Sequence, residues 1–318
     1  MRTLAVVLER PGRLALTRLP LCEPTEEDVV VDIQWSGIST GTERLLWSGR
    51  MPDFPGMGYP LVPGYESVGV VRSAGRQSGA TVGQSVFVPG ARCFGDVRGL
   101  FGGAASTVVL PGSRTLPLDD EHGQGPACAE QGVLLALAAT AHHVSAAGGG
   151  RQPDLIVGHG VLGRMVARIA VAMGVTPVVW ETDARRREGA QGYAVLDPAD
   201  DARRDYRSIC DVSGDSTLLD TLIGRLAPGG EIVLAGFYDA PLSFGFAPAF
   251  IREARIRVAA QWQPNDLAAA RALVLSGRLS LDALITHRAA ATDADSAYRT
   301  AFGDPACLKM VLDWRNCQ

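Results

Sequence analysis

A glycine-rich turn between two strands constrains the fold of this chain more than any other feature. In the segment DLIVGHGVLGRMVARIAVAMG, which begins at Asp154, residues Gly158, Gly160 and Gly163 have the spacing G-x-G-x-x-G. That spacing alone is a weak signal. Here, however, an apolar strand precedes it, an amphipathic helix follows it, and a second strand, PVVWE, ends at Glu181. In this context the motif predicts a turn that binds the pyrophosphate of a dinucleotide.

Each residue of the turn has a physical task in such a site. Gly158 allows the tight turn, Gly160 lets the backbone approach the pyrophosphate, and Gly163 lets the helix pack closely on the strand. Val161 and Leu162 open the helix, where unpaired N–H groups and the positive end of the helix dipole favour a phosphate. We therefore predict a cofactor site at these five residues. The alternative is a tight turn without a ligand.

Glu181 is the predicted determinant of which dinucleotide binds. It lies eighteen residues beyond Gly163, near the spacing expected for the acid that holds the adenosine ribose hydroxyls. A carboxylate there repels a 2′-phosphate, so the sequence favours NAD over NADP. Arg185–Arg187 leave NADP open as the alternative, since these arginines could bind its 2′-phosphate. A solvent-exposed charged face is the more ordinary role for such a run. We expect His159 to be a loop residue packed near the cofactor.

The pattern of predicted elements divides the chain into two domains. Residues 1 to about 120 alternate short β-type runs with Gly and Pro turns, as in a compact, barrel-like β unit. From PACAEQGVLLALAATAHHVSAAGGG onward, strands alternate with helices, which indicates a parallel sheet covered on both faces. The final strand, CLKMVLDW, is expected to return to the first domain. We predict an α/β fold with domains 1–122 plus 281–318 and 123–280.

Composition excludes several other classes of protein. The 318 residues are 47% hydrophobic and carry a formal net charge of −4, which offers no support for nucleic-acid binding. The longest apolar runs are far shorter than the roughly twenty residues that span a bilayer. We therefore expect a cytoplasmic protein, with attachment to a membrane surface left open. The six cysteines include no C-x-x-C pair, so we expect free thiols rather than a structural zinc site or disulfides.

Two short motifs in the first domain look like a metal-site frame without its ligands. GISTGTE (residues 37–43) and VPGYESVG (residues 62–69), followed by the nucleotide motif, resemble the medium-chain dehydrogenase/reductase superfamily over nearly the whole chain. The resemblance implies a GroES-like barrel joined to a Rossmann-type doubly wound sheet. Zinc-dependent members carry cysteine and histidine where this chain has Ser39 and Tyr65, and a third ligand near Leu135. Only the neighbouring Glu66 is retained.

The missing ligands predict that this chain holds no catalytic zinc ion, and the absence of the four-cysteine lobe of the zinc enzymes predicts that it holds no structural zinc ion. Hydroxyl groups are poor zinc ligands beside thiolate and imidazole, and leucine is none. Three remote histidines could in principle rebuild a site, but we expect them to have ordinary surface or packing roles; they are His122, His142 and His143.

A longer stretch points to a narrower group within the superfamily. WSGISTGTERLLWSGRMPDFPGMGYPLVPGYESVGVV resembles the zinc-lacking branch that acts in bacteriochlorophyll biosynthesis. The resemblance implies NAD-dependent oxidation of the 3-(1-hydroxyethyl) group of a bacteriochlorophyllide or chlorophyllide to 3-acetyl, and we expect a homodimer. A tetrapyrrole needs a wide apolar surface, which a Gly/Pro-rich loop could supply. Core or dimer contacts are equally open for the candidate side chains, which are Trp47, Met51, Phe54, Met57 and Tyr59.

Oxidising an alcohol without a metal requires the protein itself to stabilise the reacting oxygen and to remove its proton. We predict that Tyr65 donates to or accepts from the substrate oxygen, with the hydroxyls of Ser39, Thr40 and Thr42 as a relay. Tyr65 could act as a base only if its pKa, ordinarily about 10, were depressed. Glu66 is a candidate site residue that would raise that pKa. The alternative is that Tyr65 and Ser39 merely fill the space left by zinc.

Two other functions remain open from the sequence. The first keeps the fold but changes the reaction, to a zinc-free quinone or enoyl reductase that uses NAD(P)H. The second is a dinucleotide-binding sensor that catalyses no turnover, which the intact glycine motif disfavours.

Overall fold

The computed structural model describes residues 1–119, 129–146, 151–259 and 261–317. The strands of these ranges are β1 (Arg2–Arg10), β2 (Arg13–Pro20), β3 (Asp28–Ile38), β4 (Leu61–Val62), β5 (Ser67–Ala74), β6 (Ser85–Val88), β7 (Arg98–Gly99), β8 (Thr107–Pro111), β9 (Leu116–Pro117), β10 (Leu155–Val157), β11 (Val178–Trp180), β12 (Ala194–Leu196), β13 (Tyr206–Asp211), β14 (Leu226–Leu234), β15 (Arg255–Val258), β16 (His287–Ala290) and β17 (Met310–Asp313). The α-helices are α1 (Thr42–Ser48), α2 (Leu135–Ala146), α3 (Val161–Ala172), α4 (Leu219–Arg225), α5 (Phe246–Ile251), α6 (Pro264–Leu275) and α7 (Ala294–Gly303).

The chain forms two compact units. The first contains Met1–Ala136 and Leu281–Gln318, and the second contains Leu137–Ser280. The first boundary in the contact pattern therefore falls after residue 136, whereas the sequence-based division places it after residue 122.

The first unit is built from two β-sheets. One sheet has the strand order β16-β17-β3-β5-β6-β9, with β8 also paired to β3, and the other has the order β2-β1-β4-β7. Alternating apolar residues of β1 and β3, such as Val6, Val29 and Val31, are fully buried in their shared core. The β1–β2 hairpin turns at Pro11 and Gly12, where Gly12 has a φ of 71° that favours glycine.

The C-terminal strand completes the first sheet. β17 pairs antiparallel with β3, with Met310 opposite Ile38 and Asp313 opposite Trp35. The strand thus returns to the first unit, as CLKMVLDW predicts. This pairing brings Lys309, which directly precedes β17, to the end of β3 where GISTGTE begins.

The second unit is a parallel sheet with helices. Its strand order is β12-β11-β10-β13-β14-β15, and every pair is parallel. Because β10 is central and the chain moves first to one side and then to the other, the topology switches between β10 and β13. In such sheets, ligands bind at the carboxyl ends of the strands beside that switch point. The structure confirms the predicted α/β fold class.

Candidate functional site

Strands β3 and β5, which contain parts of the motifs GISTGTE and VPGYESVG, bring Ser39 and Tyr65 together. Ser39 follows the last residue of β3, and Tyr65 lies two residues before β5. The two strands are antiparallel neighbours with Ser36 opposite Ser67, so their ends meet. The Ser39 Oγ and the Tyr65 hydroxyl are 2.8 Å apart, within hydrogen-bond distance. Two hydroxyls, bonded to each other, therefore occupy the positions at which related enzymes carry metal ligands.

The surroundings of this hydroxyl pair include only part of the predicted relay. The Thr42 side chain hydrogen-bonds the Tyr65 hydroxyl, and the Thr42 amide donates to Ser39 Oγ at 3.4 Å. In the described part of the chain, the Thr40 side chain makes no hydrogen bond to either member of the pair. Phe101 packs edge-on against the Tyr65 ring, with centroids 5.5 Å apart. The structure thus groups Ser39, Thr42 and Tyr65.

The pKa of Tyr65 is raised well above its ordinary value. Burial is the largest cause, and the charge of Glu66 adds to it, while hydrogen bonds from Ser39 and Thr42 act in the opposite direction. The sequence-based condition for a tyrosinate base, a depressed pKa, is therefore not met by the protein's own groups. Tyr65 is a neutral phenol near pH 7, able to donate a hydrogen bond or to pass a proton along the pair.

A buried ion pair lies next to the hydroxyl pair. Glu66 is fully buried, and its Oε2 accepts from Lys309 Nζ at 2.5 Å. Lys309 is only 1% exposed and also donates to the carbonyl of Ile38 at 3.3 Å. A Cβ at residue 37 would come within 2.4 Å of Glu66 Oε2, so the motif requires Gly37 there. Glu66 thus faces Lys309 and acts on Tyr65 through its charge.

Glu43 forms a second buried carboxylate beneath Ser39. Its Oε1 accepts from the Ser39 amide at 3.1 Å, and its Oε2 accepts from the Tyr298 hydroxyl at 2.6 Å. Burial raises the pKa of Glu43 to about 7, with a further upward contribution from Glu66 and opposing ones from its hydrogen bonds and Lys309. The carboxylate holds the backbone of the residue whose hydroxyl bonds Tyr65.

These positions do not fit zinc. The first two former ligand positions carry hydroxyls that bond each other, and the third falls near Leu135, whose side chain is buried at the start of α2. None of these groups competes with thiolate or imidazole for zinc. Across the described ranges, no three His, Cys, Asp or Glu side chains lie in an arrangement that could hold a metal ion.

Two of the remote histidines have a partner within the second unit. His142 and His143 belong to the second unit, where the Nδ1 atom of each lies 2.8 Å from the Asp266 carboxylate. This shared contact is a packing role, as the sequence predicts for them. His122 lies outside the described residues.

The glycine-rich turn of the second unit has the geometry that a pyrophosphate needs. Gly158 has a φ of 104°, which side chains rarely adopt. A Cβ at Gly163 would lie 1.9 Å from the carbonyl oxygen of Gly158, so only glycine allows the helix to approach the strand this closely. By contrast, a Cβ at Gly160 would meet nothing within 4 Å, which leaves space for a ligand against the backbone. Val161 and Leu162 form the first turn of α3, whose amides are free of intrahelical partners.

Glu181 lies beside this turn, directly after β11. Its Oε2 accepts from the His159 amide at 3.1 Å, and its Oε1 accepts from the Asp183 amide at 2.9 Å. The carboxylate is thereby fixed at the carboxyl end of β11, next to the glycine turn. The residues present fit a bound dinucleotide.

The neighbouring arginines are engaged by local partners. Residues Ala184–Arg186 form a single 3₁₀ turn. Arg185 makes two side-chain bonds to Asp183, at 2.9 and 2.7 Å, and Arg187 bonds Asp197 at 2.5 Å. Both side chains thus pair with carboxylates of their own segment.

His159 and Arg164 support the glycine turn from within. His159 is fully buried, its Nδ1 lies 2.6 Å from the carbonyl oxygen of Arg186, and its Nε2 lies 2.8 Å from the Tyr193 hydroxyl. Burial lowers its pKa to about 4, so the ring is neutral near pH 7. Arg164 donates to the carbonyl oxygens of His159, Arg186 and Glu188. Both are structural residues of the turn.

The aromatic loop differs from the sequence-based description. Trp47 lies in α1 rather than in the loop, and its ring packs on Tyr298 and Phe302. Met51 is 7% exposed and belongs to an apolar cluster with Leu46. The other three candidates pack against the same cluster while remaining partly exposed; they are Phe54, Met57 and Tyr59. Internal packing therefore accounts for Trp47 and Met51, whereas the partly exposed three can still contact a substrate.

The sequence analysis does not predict two residues that lie near the hydroxyl pair, Lys309 and Tyr298. The sequence holds one signal for the first: Lys309 is the only lysine of the chain, among 30 basic residues. Tyr298 had no comparable signal.

No described helix is both long enough and apolar enough to cross a membrane.

Comparisons with known proteins agree with this architecture. Residues 25–120 match the alcohol dehydrogenase GroES-like domain. The chain is 57% identical over 321 residues to the 2-desacetyl-2-hydroxyethyl bacteriochlorophyllide A dehydrogenase of Cereibacter sphaeroides, covering 99% of each chain. It is 55% identical over 320 residues to the protein of the same name from Rhodobacter capsulatus, covering 100% of both.

A solved structure shares the fold at low sequence identity. An alcohol dehydrogenase of Escherichia coli CFT073, crystallised with NADH, matches with a TM-score of 0.82 and 19% identity, over 98% of this chain and 99% of that chain. This likeness confirms the combination of a GroES-like unit and a Rossmann-type unit.

Proposed function

Since the chain belongs to the bacteriochlorophyllide dehydrogenases of the medium-chain dehydrogenase/reductase superfamily, we propose that it oxidises the ring hydroxyethyl group of a bacteriochlorophyllide to an acetyl group in bacteriochlorophyll biosynthesis. The observation that carries this proposal is the 57% identity to a relative of that name over 99% of both chains. The tetrapyrrole class of the substrate follows from the same relative.

The hydroxyl pair is proposed to act on the substrate oxygen. Tyr65 is neutral near pH 7 because its pKa is raised, and it lies 2.8 Å from Ser39 Oγ. Such a phenol accepts the alcohol proton only while its own proton passes to the neighbouring Ser39 hydroxyl, which in turn releases its proton to water. Tyr65 is thus the catalytic residue and Ser39 the next member of a relay, with Thr42 orienting the phenol. Thr40, whose side chain makes no bond to this pair, remains a candidate only for contact with the substrate.

A nicotinamide dinucleotide is the hydride acceptor that this reaction requires, and we propose NAD rather than NADP. Gly158, Gly160 and Gly163 would hold the pyrophosphate with the first amides of α3. The Glu181 carboxylate, fixed by two amides, would bind the ribose and repel a 2′-phosphate.

Glu181→Ala is expected to raise the KM for NAD about tenfold or more, since hydrogen bonds to a charged group contribute about 1.5–3 kcal/mol. The KM for NADP should rise less or fall, because the repulsion of its 2′-phosphate is removed. The ratio of kcat/KM for the two cofactors is the informative measurement, since general loosening of the turn would affect both alike. Glu188→Ala, an exposed carboxylate nearby, is the matched control. An unchanged ratio in Glu181→Ala would remove Glu181 from cofactor selection.

We propose that turnover needs no zinc, because Ser39, Tyr65 and Leu135 offer no suitable ligand set. The decisive assay incubates metal-stripped protein with NAD and a 3-hydroxyethyl bacteriochlorophyllide, while the long-wavelength band is followed for acetyl formation. We expect full activity in the presence of chelator. Activity lost to the chelator and restored by zinc would overturn the metal-free proposal, and turnover of enones or quinones alone would overturn the substrate assignment.

We also propose a homodimer that forms through the open edge of the second unit's sheet. β15 is the outer strand of the described sheet, and large apolar side chains are exposed on it and on α5, which precedes it in the chain. They are Val258 at 75%, Phe246 at 73%, Phe250 at 68% and Ile251 at 78% exposed. Exposed apolar side chains on an open strand edge favour pairing with another chain. A solution mass near one chain, measured by light scattering, would rule this out.

A further inference from the structure

A chain of buried hydrogen bonds connects α7 to the hydroxyl pair. The Tyr298 hydroxyl donates to Glu43 Oε2, Glu43 Oε1 accepts from the Ser39 amide, and Ser39 Oγ bonds the Tyr65 hydroxyl. Tyr298 and Glu43 are each 2% exposed, so water does not replace these contacts. The first contact joins residues 255 positions apart in the sequence.

Glu43 is held in one orientation by both ends of its carboxylate. Each oxygen has its own donor, one from the backbone of the site motif and one from the C-terminal segment. The Glu43 amide, in the first turn of α1, also donates to the carbonyl oxygen of Ser39 at 3.1 Å. Ser39 is therefore bonded to Glu43 through both its N–H and its C=O.

Tyr298 is fixed by its own helix face and by its ring contacts. The buried positions of α7 are Ala294, Ala297, Tyr298 and Ala301, which recur at helical spacing. The Tyr298 ring lies 6.2 Å from the Trp47 ring and 5.7 Å, edge-on, from the Phe302 ring. Loss of the hydroxyl alone would leave this packing in place while removing the bond to Glu43.

We propose that Glu43 and Tyr298 are positioning residues that hold Ser39 so that its hydroxyl meets Tyr65, an inference that rests on the proposed function. Neither residue needs to touch the substrate. A misplacement of about 1 Å at a reacting group can lower a rate about a hundredfold, so support of this kind is measurable in kcat. In a zinc enzyme the metal ion holds its ligands in position. Here the hydrogen bonds from Tyr298 through Glu43 to Ser39 hold the hydroxyl pair in position instead.

The first test is a double-mutant cycle with Ser39. Glu43→Ala removes the acceptor of the Ser39 amide and is expected to lower kcat about tenfold or more, whereas Glu43→Gln keeps a carbonyl acceptor and should stay within about threefold. If Glu43 acts through Ser39, the Glu43→Ala/Ser39→Ala variant should match Ser39→Ala in kcat within about threefold. If the losses of kcat in Glu43→Ala and Ser39→Ala instead multiply in the double variant, Glu43 does not act through Ser39 and the proposal is overturned.

The second test uses Tyr298→Phe and adds a measurement that does not depend on activity. We expect faster amide hydrogen exchange in the segment that contains Ser39, together with a three- to tenfold lower kcat and an unchanged dissociation constant for NADH, as roughly estimated from a single lost hydrogen bond. Glu130→Gln, which changes a carboxylate paired with Arg288 in the same unit, is the control and should alter neither quantity. Wild-type exchange and kcat in Tyr298→Phe would overturn the proposal.

The outcomes separate the inference from the function on which it rests. If the wild-type protein does not oxidise the hydroxyethyl substrate, the proposed function fails, while the exchange measurement still decides whether Tyr298 holds the Ser39 backbone. If the wild-type protein is active but the cycle is multiplicative, the positioning role alone fails. Should Glu43→Ala fail to fold, Tyr298→Phe still decides the matter.

Discussion

Lys309→Met should lower the free energy of unfolding by about 3–5 kcal/mol, the usual effect of removing one partner from a buried ion pair. Glu66 would then be a fully buried carboxylate with no counter-charge in contact. Its Oε1 already has no hydrogen-bond partner in the described part of the chain, so no other donor compensates for the loss. Urea denaturation at neutral pH measures the change.

A surface pair provides the control for this substitution. Arg13→Met removes the partner of Glu9 from an ion pair whose side chains are 62% and 40% exposed, and it should change stability by no more than about 1 kcal/mol. Lys309→Met/Glu66→Gln should recover part of the loss, because the second change removes the unpaired charge. Equal effects of Lys309→Met and Arg13→Met would show that the buried pair contributes nothing special.

Tyr65→Phe should lower kcat about a hundredfold or more, a typical contribution of a group that transfers a proton in the transition state. The ring and its edge-on contact with Phe101 remain, so only the hydroxyl is lost. KM for the cofactor should change little, because the Tyr65 hydroxyl is proposed to act on the substrate oxygen. Steady-state kinetics with the bacteriochlorophyllide substrate gives both values.

Two variants make the Tyr65 result specific. Ser39→Ala should lower kcat less than Tyr65→Phe does, because the phenol still contacts the substrate oxygen while losing its first proton acceptor. Tyr206→Phe removes a buried phenol that bonds Asp201 in the second unit and should leave kcat near that of the wild type. Near-normal turnover of Tyr65→Phe would support the alternative that Tyr65 and Ser39 only fill space.

The glycine turn illustrates what sequence could predict. The spacing of Gly158, Gly160 and Gly163 and the position of Glu181 follow from local chain geometry, so the motif and its flanking strands suffice to predict the turn. The approach of Ser39 to Tyr65 was predicted by a resemblance, and the antiparallel pairing of β3 with β5 supplies its physical basis.

The buried charges around the hydroxyl pair cannot be predicted from local sequence motifs. Lys309 meets Glu66 across 243 positions, and Tyr298 meets Glu43 across 255, and no periodicity or motif links segments so far apart. The pKa of Tyr65 depends on how deeply the phenol is buried and on which charges surround it. Residue type alone therefore could not predict that its pKa is raised.

The burial of Lys309 also gives this protein an unusual chemical handle. A reagent that acylates side-chain amines finds just one in this sequence, the ammonium of Lys309, since every other basic side chain is arginine or histidine. With Lys309 only 1% exposed, the native protein should accept no label on a side chain. The appearance of such a label therefore reports that the core around Glu66 has opened.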